Sequence, residues 1–344
     1  MKNLKLFFVF LIIAPLSYAQ EIEEKLEEVK YRNIGPFRGG RSVSSVGVVN
    51  DPLTYYMGTA GGGLWKTTNA GSEWFNISDD YFKTSSVGAI AVSESDSRII
   101  YVGMGEHSPR GVTTSYGDGI YKSTDAGETW EHLGLDNTQQ ISRIIIHPDD
   151  NNIVYVAAQG AINGPTKERG VYKSIDGGKT WRNVLFVNEL SGASELSIDI
   201  NNPKVLYATM WEHQRLPWKV ISGGEGSGVY KSTDGGENWF KIENGLPDEL
   251  GKLAISVSRA NSNKVYLLAE SDTNKRLGGL FVSNNAGESW SRVSKFAELT
   301  SRAWYYIEVF ADPNDENTVY VLSARAFRSI DGGKTWERIY SGHG

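Results

Sequence analysis

The sequence predicts an all-β protein, a β-propeller of four-stranded antiparallel blades, on three observations. A nine-residue pattern recurs six times, as KTTNAGSEW (66–74), KSTDAGETW (122–130), KSIDGGKTW (173–181), KSTDGGENW (231–239), VSNNAGESW (282–290) and RSIDGGKTW (328–336). Counted between Asn69, Asp125, Asp176, Asp234, Asn285 and Asp331, the steps are 56, 51, 58, 51 and 46 residues, the period of a propeller or a solenoid. Each copy is preceded by an apolar run carrying a tyrosine, and helical periodicity is missing throughout.

The four strands of a unit can be read in order. The inner strand A is a β-rich run such as SSVGVV, VGAIAV, SRIIIH, ELSIDI, LAISVS or YYIEVF. Strand B carries the tyrosine, aligned here as Tyr56, Tyr101, Tyr155, Tyr207, Tyr266 and Tyr320. Strand C ends on the first residues of the repeated pattern, and strand D starts at its tryptophan. Short β-branched and aromatic runs bounded by Gly, Asn, Asp and Pro read as strands, and four of them per repeat make a propeller blade rather than a solenoid coil.

The repeated pattern then spans the C–D hairpin, and its chemistry suits a turn. The Asp or Asn side chain accepts backbone N–H groups as in an Asx turn, and the glycine after it takes a positive φ. The tryptophan covers the turn and buries area between blades. Six equivalent acidic or amide positions cannot share one catalytic centre, so Asn69, Asp125, Asp176, Asp234, Asn285 and Asp331 are assigned as structural.

The pattern resembles the Asp-box (BNR) repeat of sialidases, of the xyloglucan-cleaving glycoside hydrolases and of the Vps10p domain of sortilin-type receptors. The resemblance covers residues 44–340, and four copies keep Asp-x-Gly-x-x-Trp while two carry Asn. The YRNIGPFRGGR opening and the GTAGGGLWKTT segment are most similar to large exported bacterial propellers described as glycosyl-hydrolase-like or sortilin-N-terminal-like. A sialidase would imply an Arg-Ile-Pro motif, which does not occur here. The xyloglucan-cleaving pattern would imply a catalytic Asp in T-D-x-G-G; the matching stretch is Thr59-Ala60-Gly61-Gly62-Gly63, with a methyl group at Ala60. The second carboxylate of that mechanism would come from a second propeller. What the resemblance implies most directly is a binding scaffold.

Lys2 and Lys5, an apolar run from Leu6 to Leu16 and Ser17-Tyr18-Ala19 have the form of a cleaved secretion signal over residues 1–19. The expected location is secreted or periplasmic. No later run is long enough to be a transmembrane anchor, and the absence of cysteine leaves the fold to rest on its own core. Without Lys2 and Lys5 the balance is 33 basic against 41 acidic residues, a net of about −8 that repels nucleic acid. Residues 20–30 form an acidic lead-in, and 31–344 the propeller. Val29–Ile34 looks like a D strand, since YRNI matches WERI at 336–339. The expectation is therefore a piece of a longer, seven-bladed ring, with six blades closing around an extra edge strand as the alternative.

Spacing places the functional face. From box to next tyrosine it is 32, 30, 31, 32 and 35 residues, but from tyrosine to its own box 13, 24, 21, 27, 19 and 11. Length variation thus concentrates in the B–C loops, which share a face with the D–A connections, opposite the boxes; variable loops carry function. The candidate ligand-binding residues on that face are Arg38, Arg41, His107, Arg110, Trp211, His213, Trp218 and Trp304. Trp211 and Trp218 either stack on a sugar or clasp a peptide, or anchor a long loop. Arg38 and Arg41 offer paired donors to a carboxylate or other anion. Glu106 and Glu212 are the leading acid–base pair should the protein be a glycoside hydrolase. The five histidines show no metal-ligand spacing, so no metal or cofactor is expected. The readings in order are a propeller binding a glycan or peptide, a glycoside hydrolase using loop carboxylates, and an assembly factor docking a protein.

Overall fold

The computed structural model describes residues 40–110, 114–271, 274 and 276–339. The signal segment, the acidic lead-in, the Val29–Ile34 strand and Arg38 lie outside the described residues.

Six antiparallel sheets follow one another as propeller blades, each in the order A–B–C–D. The inner strands are Ser42–Val48, Val87–Val92, Ile141–Ile146, Ser191–Ile198, Leu253–Val257 and Glu308–Ala311. The tyrosine-bearing B strands are Asp51–Thr59, Ile100–Met104, Val154–Ala158, Leu206–Arg215, Val265–Ala269 and Val319–Leu322. Blade four adds a fifth strand, Val220–Ser222, paired to the far end of its long B strand. Two expectations shift by a few residues. Strand D begins one residue after the tryptophan, at Phe75, Glu131, Arg182, Phe240, Ser291 and Glu337, because the indole is spent on packing. The last inner strand starts at Glu308, leaving Tyr305 and Tyr306 to the connection before it.

Five buried clusters, one between each successive pair of blades, form the core. Among the described residues no such cluster joins blade six to blade one. The aligned tyrosine is the recurring member. Tyr56, Tyr101, Tyr155 and Tyr207 bury their rings and donate their hydroxyls to the carbonyls of Ala126, Gly177, Gly235 and Ala286, each inside the next blade's box, at 2.8–3.1 Å. A lysine of strand C, at 66, 122, 173 or 231, reaches over the same ring and donates to the same carbonyl at 2.7–3.0 Å. A buried phenol needs an acceptor, and the lysine adds a cation–π contact, its Nζ 5.2–5.8 Å from the ring centroid. Blade five varies the device: strand C carries Val282, and Lys264 instead reaches Asn317 Oδ1 at 2.6 Å beside Tyr266.

The box itself is a closed hydrogen-bond circuit. In KSIDGGKTW the Ser174 hydroxyl donates to Asp176 Oδ1 and accepts the Gly178 amide, both at 2.8 Å, while Asp176 accepts the Thr180 amide and hydroxyl. Two successive residues, not one, take positive φ: Gly177 at 74° and Gly178 at 93°. Ala70, Ala126 and Ala286 occupy the first of these positions at 54–62°, so only the second requires glycine in all six copies. The amide and hydroxyl donors hold the carboxyls of Asp125 and Asp176 at about 2.

Candidate ligand-binding site

The B–C insertions gather where the D–A connections run. Backbone bonds tie them: Gly105 N–H to Ser86 O, Gly117 to Gln139, Gln159 to Gln140, and Glu270 to Lys252. At the start of the blade-two insertion Glu106 is fully buried and receives four donors. They are a guanidinium N–H of Arg41, Arg110 Nε at 3.0 Å and Nη2 at 3.2 Å, and the Ser115 amide at 3.2 Å. Arg41 precedes the first inner strand and also donates to the Tyr305 hydroxyl of the last D–A connection, 264 residues away. One buried carboxylate therefore sets two arginines at the mouth of a cavity.

That cavity has a volume of about 980 Å³ and is walled by Arg41, Arg110, Arg215, Glu270, Arg302, Trp304 and Tyr305. Tyr305 is bracketed by two guanidinia, Arg41 at 5.1 Å and Arg302 at 5.7 Å from its ring centroid. Trp304 is backed edge-on by Trp211, centroids 5.4 Å apart. Such a wall offers planar anion donors and flat aromatic faces together.

The remaining sequence candidates divide. Trp211 is fully buried: it stacks on His213 at 4.1 Å, donates Nε1–H to Ser222 Oγ at 3.2 Å and lies under Lys252 Nζ at 5.0 Å. It anchors the long insertion from within, and a ligand cannot reach it. His213 and His107 are buried as well, and neither lines this cavity. Burial foremost, with Arg169 beside His213 and with Lys252 and Arg143 near His107, holds both imidazoles neutral, well below the ordinary histidine range. Trp218, at the hairpin tip, is 80% exposed. Among the described residues Glu106 and Glu212 share no partner and neither lines the cavity; Glu212 accepts the Gly226 amide at 3.0 Å within its own loop. Of the expected acid–base pair, Glu106 is engaged as the strut of the arginines.

A second group was missed in the sequence. On the inner strands Arg143 bridges Glu195, with Nη2 at 2.7 Å, and Glu308 at 3.3 Å, beside a cavity of about 300 Å³ that His107, Tyr306 and Phe310 also line. Burial lowers buried Lys252 to about 8 against the pull of Glu308, Glu270 and Glu195. Burial likewise raises Glu308, with Glu195 adding to it and Arg143 opposing. The only hint of this cluster in the sequence is the charge interrupting otherwise apolar inner strands at Arg143, Glu195 and Glu308. Among the described residues no group of acids and histidines could hold a metal ion.

Comparison with known proteins fits this architecture. Residues 118–277 match the family described as Sortilin, neurotensin receptor 3, and residues 327–338 match the BNR/Asp-box repeat. A xyloglucanase of Paenibacillus sp is 23% identical over 360 residues, covering 91% of this chain and 33% of its own. A crystal structure of an ancestral GH74 enzyme superposes with a TM-score of 0.59 at 18% identity, covering 89% of this chain and 40% of that one. YCF48 bound to D1 peptide gives a TM-score of 0.55 at 14% identity, over 90% of this chain and 86% of that chain. The chain spans about a third of the length of the curated relatives it matches. With six boxes on six blades and these likenesses, this chain is an Asp-box β-propeller resembling the sortilin-type and xyloglucanase propellers.

Proposed function

We propose that this propeller binds a glycan or peptide ligand on its loop face, seated in the cavity between Arg41, Arg110, Arg302 and Trp304. The observation that carries the reading is the joining of two arginines on one buried carboxylate at the rim of an aromatic-walled cavity. Ordering two guanidinia around one glutamate costs side-chain entropy, and it fixes both of them beside the cavity they line. The xyloglucanase relatives favour a glycan, and YCF48 bound to D1 peptide favours a peptide. Hydrolysis is the weaker reading: Ala60 stands where the xyloglucan-cleaving pattern has its Asp, and Glu106 is tied to the arginines. The purified chain should retain ligands on glycan and peptide arrays, and Trp304→Ala and Arg110→Ala should each weaken retention about tenfold. It should release no reducing sugar from xyloglucan. Retention unchanged in both variants would place the site elsewhere, and released sugar would restore the hydrolase.

A further inference from the structure

The chain is acidic overall, with 41 acidic against 35 basic residues. At the loop-face cavity the sign reverses. Among the described residues, Arg215 and Glu270 on its wall each have an interaction of their own, and the arginines at 41, 110 and 302 stand against Glu106, an excess of two positive charges. Arg41 and Arg110 share a single carboxylate between them. Arg302 makes no ion pair among the described residues, its guanidinium lying 5.7 Å from the Tyr305 ring centroid. A neutral ligand would leave that excess uncompensated, whereas an anion would complete it.

The shape of the wall selects among anions. Among the described residues its apolar side chains other than aromatics are Pro109, Ala297 and Ala303, too few and too small to seat the apolar side chains by which a peptide is usually held. Its large surfaces are instead flat, those of Trp304 and Tyr305; outside the wall, Trp218 lies three residues beyond Arg215 on the same hairpin, 80% exposed. Flat faces set beside planar donors fit rings that carry acidic groups.

We infer that the ligand is an acidic glycan, its carboxylate or sulfate groups met by Arg302 with Arg41 and Arg110, and its next ring lying on Trp218. This rests on the loop-face reading above and narrows it. Calorimetry with the full chain tests it against four probes: oligogalacturonate, a sulfated dextran oligosaccharide, a neutral xyloglucan oligosaccharide and an oligoglutamate peptide. One or both acidic glycans should bind most tightly and weaken severalfold on raising salt from low to physiological strength. Carboxylate-only, sulfate-only or dual binding identifies the source. Arg302→Gln, at an exposed position that leaves folding intact by circular dichroism, should weaken acidic-glycan binding about tenfold. Trp218→Ala should weaken it about threefold. If the neutral glycan or the peptide binds more tightly and is lost on Arg302→Gln, the acidic-glycan inference falls and the loop-face reading stands. Acidic-glycan binding that ignores Arg302→Gln overturns the assignment of this cavity, and binding of none of the four overturns both.

Discussion

On the box face, Ser123, Ser174 and Ser232 each close the same circuit, hydroxyl to Asp and glycine amide to hydroxyl, within 2.7–2.9 Å. On the loop face a backbone tie recurs between insertion and connection, but the side chains of the described insertions make different contacts. Glu106 collects two arginines, Arg169 caps the carbonyls of Gln159, Ala161 and Gly164, and Trp211 fastens a hairpin from inside. Each box circuit closes among partners within four residues, and the latch from the preceding blade's tyrosine and lysine is itself repeated; the loop face is held by partners up to 264 residues apart. A local circuit can be copied and tolerates damage one copy at a time. A singular long-range network concentrates both function and fragility.

The difference can be broken most severely at Trp211. Trp211→Ala empties a fully buried site and unseats His213, Trp304 and the Ser222 contact, so unfolding by denaturant should show a loss of about 3–5 kcal/mol. A box residue should cost less. Ser174→Ala strands the Gly178 amide and removes one of the two donors to Asp176 Oδ1, a loss of about 1–3 kcal/mol in the same assay. Adding Ser232→Ala in the next blade should be additive within about 0.5 kcal/mol, because each circuit closes on itself. Strong non-additivity there would mean that the boxes act as one ring.

Acid sharpens the same contrast with the smallest effect per step. His107 and His213 are held neutral by burial, while in the unfolded chain they titrate near 6.5. The unfolded state therefore takes up protons first, and stability falls as pH drops below 6.5, by up to about 1.4 kcal/mol per histidine and pH unit. The box carboxyls of Asp125 and Asp176, lowered to about 2, contribute stability above their unfolded value of 3.8 and lose it only as pH falls towards 2. A melting temperature that declines between pH 6.5 and 5, and declines less in His213→Gln, is the expected result. A flat profile over that range would mean that the loop-face histidines accept protons without cost.

The residues show why one face was readable and the other was not. Tyr101, Lys122 and the Gly177 carbonyl recur in register from blade to blade, so counting found the tyrosines and the boxes, and the latch between them needed coordinates. Glu106 stood out as a charged residue opening an insertion, but whether it is an acid or a strut depends on Arg41, which arrives from 65 residues earlier. Trp211 and Trp218 differ by seven positions in one loop, yet one is sealed inside and the other is 80% exposed. Nothing in their local sequence separates them, because the hairpin between Leu206–Arg215 and Val220–Ser222 decides which indole turns inward.

By itself the sequence determined the repeat, the strand order, the chemistry of the turns and the face on which variation collects, since all of these follow from interactions spanning a few residues and written six times. The tertiary structure alone decided which loop side chains meet: the arginine pair on Glu106, the Tyr305 bracket, and the Arg143, Glu195, Glu308 and Lys252 cluster at the inner strands. Those groups come from different blades, and only the curvature of the sheet array brings their charges within a few ångströms, where burial makes each one depend on the rest.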